Sequence, residues 1–384
     1  GSGDGLGLLG RPTVAALYAS LLPMGVLGEV CNKMQTIALE QDWVVVMTGN
    51  DSRLLSRVNV LLQRIDLMCK VLAPGVIGLF LDLFHGDRLS SSFLGVLVLA
   101  LFNLFAWPIE YSVLREVYSG SPGLQRKRIL NEEAFYKNLV EAPEAGDAVL
   151  KDAGEKGGAL VAVKEYVRHP VFLASLAFCM LYMTVLDGGT LITSYLTWRD
   201  VDASLLGAQR GLGAVVGLAG TFLFAHLAQA PEGNDGEGGG GRVEKVGLAS
   251  IWVFAVTMVP SVAVLVVFGG CRVSDWALLG GMAASRAALW IFDLAERQIM
   301  QERVEESSRG AINGMQVATY QVLYCVIQVF GMVFSEPSQF LILALISVLA
   351  LVLAAVVYTA WFFLKHKGGQ GPLSPGDAEA NDND

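Results

Sequence analysis

From Phe340 to Leu364 the chain reads FLILALISVLALVLAAVVYTAWFFL, a run without one charged residue. At about 1.5 Å per residue, a helix of that length crosses a hydrocarbon core about 30 Å thick. Similar blocks recur at about 13–32, 58–84, 91–115, 170–197, 205–230, 246–269, 276–300, 310–334 and 338–364. The block at 58–84 is the weakest, because Arg64, Asp66 and Lys70 interrupt it. Inside lipid every backbone polar group must be bonded within the protein, which leaves helices or closed barrels. These blocks are too long and too evenly apolar for barrel strands. The sequence therefore predicts an all-α polytopic membrane protein with nine transmembrane helices. Only 16% of the residues are charged and 53% are hydrophobic, whereas a soluble domain carries roughly 25% charged residues. A soluble enzyme, a disordered chain and a nucleic-acid binder are excluded on that ground.

Lys and Arg concentrate in cytoplasmic loops of membrane proteins. With the chain starting outside and alternating, seventeen of them fall in inner loops and four in outer ones. The loop 119–168 and the tail 365–384 are thus expected in the cytoplasm. That charged loop, with a helix expected around Leu124–Val140, separates three spans (13–118) from six (169–364). A Gly-rich connection at 231–245 is expected to be flexible, and the polar tail lacks the apolar content to fold. Residues 1–12 make a residual outer segment, and the opening GSGDGLGLLG, without Met or a targeting pattern, predicts a truncated start.

The cysteines Cys31, Cys69, Cys179, Cys271 and Cys325 show no paired spacing, so no disulfide framework or zinc knuckle is indicated. The four histidines are isolated, which leaves a His cage unsupported. No ATP-binding loop and no nucleophile–base motif occurs. Transport without a nucleotide motor, and not catalysis, is the expectation; no cofactor is implied.

Ionisable groups within a span are expensive and mark either function or a fixed packing contact. Arg286 and Asp293 lie seven apart, two turns along one helical face, and predict an intramembrane ion pair that acts as a gate or substrate contact, or fixes packing. Asn103 and Glu110 share a face in the same way, with Pro108 between them freeing a carbonyl; they read as a cation site or as buried groups that satisfy one another. In TVLDGGTLITSYLTW, Asp187, Gly188 and Gly189 fall near the middle of a span. Two glycines forgo about 1 kcal/mol each of helix propensity, so a break is expected there. Broken helices at mid-membrane form ion and substrate sites in secondary transporters; a packing kink is the bland alternative.

Several segments together resemble one family. ALEQDWVVVMTGNDSRL followed by NVLLQRIDLMCKVLAPGVIG is similar to the fourth-to-fifth helix region of ferroportins, the solute carrier family 40 iron exporters. RHPVFLASLAFCMLYMTVL resembles the start of their seventh helix. RAALWIFDLAERQIMQERVEESSRGAINGMQ resembles their tenth helix, inner loop and eleventh helix. The resemblance runs from about residue 13 to 364 and implies a major-facilitator-type bundle, of whose twelve helices this chain matches four to twelve.

It also implies export of ferrous iron, or a related divalent cation, by alternating access. The cation would be the transported substrate, the bilayer the surroundings and a monomer the expected state. The family's Asp-Cys metal pair aligns with Gly189 and Thr190, with Asp187 two positions earlier as a substitute. The His of its eleventh helix aligns with Ile327, beside Gln328. Loss of thiolate and imidazole implies a harder site and no control by a peptide hormone through that Cys. Asn103 and Glu110 match a position associated with calcium, while Asp42, Asn59 and Arg309 match the cytoplasmic gate. A family member carrying another cation or a chelate, and a non-transporting membrane scaffold, are the competing readings.

Overall fold

The computed structural model describes residues 11–49, 51–83, 88–129, 157–229 and 239–367, and among these the regular structure is helical throughout. Helix α1 (Arg11–Thr36) runs through a seven-residue π-helical turn (Ile37–Trp43) into α2 (Val44–Thr48). Gly49 ends it with φ +58°, the left-handed conformation that stops a helix. Helix α3 (Ser52–Leu83) begins where the Asp51 carboxylate accepts from the N–H groups of Arg53 and Leu54 at 2.9 and 3.2 Å, satisfying donors that a helix start leaves orphaned. Helix α4 (Arg88–Gly120) follows, then a helical stretch at 122–129.

After residue 156 come α5 (Gly157–Arg168), α6 (Phe172–Met180), α7 (Thr190–Trp198), α8 (Ala203–Gln229) and α9 (Gly239–Phe268). Helices α10 (Arg272–Ala284) and α11 (Arg286–Arg303) form one span interrupted at Ser285. Helix α12 (Arg309–Val333) and, after a single 3₁₀ turn, α13 (Phe340–Lys367) complete the set.

Among the described residues, six helical stretches are long and apolar enough to cross a membrane: Gly95–Gly120, Ala203–Ala228, Gly241–Phe268, Arg272–Arg303, Arg309–Val333 and Pro337–Lys365. The other three predicted blocks are helical too. The first lies in α1 and carries Pro23, the second lies in α3 and carries its three charges, and the fourth is cut between α6 and α7. Two boundaries are corrected. The Gly-rich connection is shorter than expected, because α9 already starts at Gly239. Glycines are tolerated in a first turn, whose N–H groups have no intrahelical partner in any case. The predicted tail gives its first residues to α13, which continues to Lys367. The remainder of both segments, and most of the helix expected to Val140, lies outside the described residues.

Helices α6 to α13 form the densely packed part. One buried cluster gathers Phe224, Ile251, Phe292, Leu294, Ala354 and Tyr358, and a second gathers Ile192, Met258, Leu278, Met282 and Leu343. Lipid tails are as apolar as leucine, so helices in a membrane are drawn together by close packing over small residues. The contact of α8 with α11 shows this. A Cβ on Gly220 would stand 2.7 Å from the Ala287 carbonyl oxygen and 2.8 Å from its Cα, both backbone atoms that cannot step aside. Gly220→Val must therefore separate the helices, at about 1–3 kcal/mol. A lowered thermal midpoint in detergent is the expected result, and Gly207→Val, at a position with open space around it, should leave the midpoint unchanged.

The helices before residue 130 pack far less. Among the described residues their own buried cluster is Val44, Val45 and Leu55, Val60 joins the first large cluster, and the membrane-length part of α4 buries none of its residues.

Candidate functional site

The break between α6 and α7 runs from Leu181 to Gly189, longer than the glycine pair alone implies. Irregular backbone survives at membrane depth only where other groups satisfy it, and here side chains do so one by one. The N–H of Val185 donates to Ser347 Oγ (2.9 Å) and that of Leu186 to Thr184 Oγ1 (3.0 Å). The N–H of Gly189 donates to Asp187 Oδ1 (2.6 Å). Gly188 supplies φ +88°, a conformation that side chains rarely adopt. Stacking of Tyr195 on Phe340, with ring centroids 4.0 Å apart, fixes α7 to α13.

Two arginines complete the break and were not foreseen as a pair. Arg286 Nη2 donates to the Asp187 carbonyl (2.5 Å). Arg210 Nη2 donates to the Gly188 carbonyl (2.8 Å) and to Thr193 Oγ1 (2.7 Å). The Asp187 and Gly188 carbonyls of the break are therefore already engaged by guanidinium groups. The predicted pair of Arg286 with Asp293 is absent. Asp293 instead meets Arg297 at 3.4 Å, four residues on, because one helical turn brings two side chains closer than two turns do. Thr190 and Asp187 are exposed at the break. Gln328 is half-buried on α12, and no hydrogen bond joins it to the break among the described residues. Asn103 donates to the Leu99 carbonyl of its own helix (2.8 Å), and Glu110 is exposed. These two do not satisfy one another as buried groups, because both are exposed and Asn103 bonds within its own helix.

At one end of the bundle the N-terminal helices and the C-terminal helices are tied together by polar contacts. Arg309 Nη1 donates to Asp42 Oδ1 at 3.4 Å and Arg309 Nη2 to the Val304 carbonyl at 3.3 Å. Asp42 also holds Lys127 (2.6 Å), which reaches Glu306 (3.1 Å). Arg297 bonds Glu40 at 2.5 Å. Asn59 does not bridge Asp42 and Arg309; its amide donates to Gln301 Oε1 (2.5 Å), and Gln301 Nε2 donates to the Glu40 carbonyl (2.7 Å). Ser52 Oγ donates to Glu302 (2.6 Å) and accepts from Gln298 (3.0 Å).

Sequence reasoning missed Glu40, Gln298, Gln301 and Glu302. The clue was there in α11, where Asp293, Arg297 and Gln301, and likewise Gln298 and Glu302, repeat at four-residue spacing. Next in line along the seam, Arg64 donates to Thr221 (3.1 Å) and Lys70 lies 5.2 Å from the Trp290 ring centre. Beyond Lys70 on α3, Leu72 and Val76 are exposed. No group of three His, Cys, Asp or Glu positioned to hold a metal ion occurs among the described residues.

A family profile described as Ferroportin1 matches residues 8–351, most of the chain. The chain belongs to the ferroportin family. It is accordingly a multi-pass membrane transporter and not an enzyme. Its relatives include solute carrier family 40 member 1 of Oryza sativa subsp. japonica, 32% identical over 369 residues, covering 93% of this chain and 71% of the relative. Human ferroportin is 23% identical over 420 residues, covering 90% of this chain and 72% of its own length. The crystal structure of a bacterial homologue of the iron transporter ferroportin, in an outward-facing state, superposes with a TM-score of 0.72 at 23% identity, covering 93% of this chain and 76% of that one. The ferroportin-like fold is thereby established.

Proposed function

We propose that this chain exports ferrous iron, or a related divalent metal, by alternating access within a twelve-helix, two-half arrangement of which nine helices are present. The observation that carries this is the lopsided seam between the two sets of helices. Ion pairs and amide bonds join them from Asp42 and Arg309 to Arg64 and Thr221, and among the described residues the contacts along α3 go no further than Lys70. A pathway closed at one end and open at the other is one of the two states alternating access requires. The closed end is cytoplasmic by charge bias, so Asp42 and Arg309 serve as the inner gate. Asn59 serves it through Gln301.

The break at Asp187–Thr190, set in the C-terminal helices, is the substrate-facing element, with Gln328 on the neighbouring α12. Asn103 and Glu110 stay outside this reading. The relatives' printed names, and the iron transporter homologue among the solved structures, favour iron as substrate. Proteoliposomes carrying the protein should accumulate or release ferrous iron, manganese or cobalt down a gradient; vesicles impermeable to all three would leave the scaffold reading.

The orientation has its own check. Single cysteines placed in 119–168 and 365–384 should resist an impermeant thiol reagent applied outside sealed cells. Labelling from outside would reverse the gate assignment.

A further inference from the structure

We infer that the break between α6 and α7 binds its metal as a complex with a small polycarboxylate, not as a bare ion. This rests on the transport reading above and names the form of its substrate. The break carries one carboxylate, Asp187, and two guanidinium groups. Arg286 and Arg210 each spend a single nitrogen, Nη2, on break carbonyls, and Arg210 Nη2 also meets Thr193 Oγ1. Neither has a carboxylate within 4.0 Å among the described residues, whereas Arg199, Arg297, Arg303 and Arg309 all do. Guanidinium presents five donors in a rigid fork whose geometry matches carboxylate. The donors left over on Arg210 and Arg286 flank Asp187 and Gly188.

The charges in this region do not suit a naked dication. Lys33 and Lys70 on the facing helices are neutralised by Glu29 (3.3 Å) and Asp66 (2.6 Å). One negative and two positive charges therefore remain at the break. The Asp187 carboxylate keeps one oxygen on the Gly189 N–H and has the other for a metal. Helix α7 starts at Thr190, and its first intrahelical bond is Thr193 N–H to the Gly189 carbonyl. The N–H groups of the preceding residues thus point outward from the same turn, a favourable place for negative charge. A metal held by Asp187 and by a ligand whose remaining carboxylates sit on Arg210 and Arg286 uses every group present. It also fits the loss of thiolate and imidazole that the family resemblance implies, because the ligand itself supplies coordination.

The experiment uses the purified chain in detergent and in liposomes, with cobalt and citrate as probes. Binding is followed by calorimetry and uptake by radioactive cobalt. If the complex is recognised, citrate at a ratio that leaves little free cobalt will preserve or raise cobalt binding and flux. Arg210→Gln and Arg286→Gln will weaken binding of the complex at least tenfold, and by a clearly larger factor than they weaken binding of free cobalt. Arg210→Lys, which keeps the charge and loses the fork, will fall between. If citrate instead depresses binding in proportion to the free ion it removes, or the arginine variants lose free cobalt and complex alike, the inference fails. Metal that moves in neither form overturns the transport reading together with it.

Discussion

Arg309→Leu is expected to shift the protein toward its inward-open arrangement by about ten- to a hundredfold, that is about 1.4–2.8 kcal/mol. Arg309 has only 7% of its side chain exposed, and it bonds both Asp42 and the Val304 carbonyl. Removing one partner of a buried pair typically costs about 3–5 kcal/mol, because the other charge is stranded, whereas an exposed pair contributes about 0–1 kcal/mol. The expected value lies between these limits, since Asp42 is 27% exposed and keeps Lys127 as a second cation. The readout is the rate at which a Ser56→Cys thiol is labelled from the cytoplasmic side, with the five native cysteines replaced. Ser56 is buried beside the seam, 2% exposed. An unchanged labelling rate would show that these groups touch without holding the pathway shut. Glu40→Gln should act in the same direction through Arg297. The double variant should deviate from the sum, because Glu40 and Asp42 lie two residues apart in the same π-helical turn.

Asp187→Asn is expected to weaken metal binding by about ten- to a hundredfold, the scale of roughly 1.5–3 kcal/mol for losing a charged partner. This substitution separates charge from structure. An asparagine oxygen can still accept from the Gly189 N–H and keep the turn, so the loss would report the carboxylate acting on the metal. Thr190→Cys is expected to do the opposite for soft ions, raising zinc affinity over manganese, since a thiolate favours the softer metal. Calorimetry on both variants checks the pair. Wild-type affinity in Asp187→Asn would reduce the glycine break to a kink.

The apolar blocks were legible because lipid imposes a strong, length-dependent demand on each of them. The Gly-Gly break was legible too, since two glycines beside an aspartate have no other easy place in a span. What escaped depended on tertiary placement. Glu40 meets Arg297 across 257 positions and Asn59 meets Gln301 across 242, and a single chain carries no mark of such pairings. Arg286 was read onto the wrong partner because seven-residue spacing fixes a face of the helix but not a distance. Its guanidinium turns to the break, 99 positions away, from the point where Ser285 interrupts the α10–α11 span. Asn103 and Glu110 illustrate the same limit: spacing placed them on one side of α4, and only packing could say whether anything stood opposite.

The π-helical turn at Ile37–Trp43 has a consequence for how this helix can change length over evolution. An α-helix advances about 100° per residue, so losing one residue elsewhere in a helix swings every side chain beyond it onto another face. A π turn corresponds to one residue more than the α-helix needs. A deletion within Ile37–Leu39 can therefore be absorbed by tightening the turn, with Val44 and Val45 still directed to their buried cluster and α1 keeping its phase. Single-residue length variation in this helix should collect in that one turn, immediately before the acidic residues that meet Arg297 and Arg309.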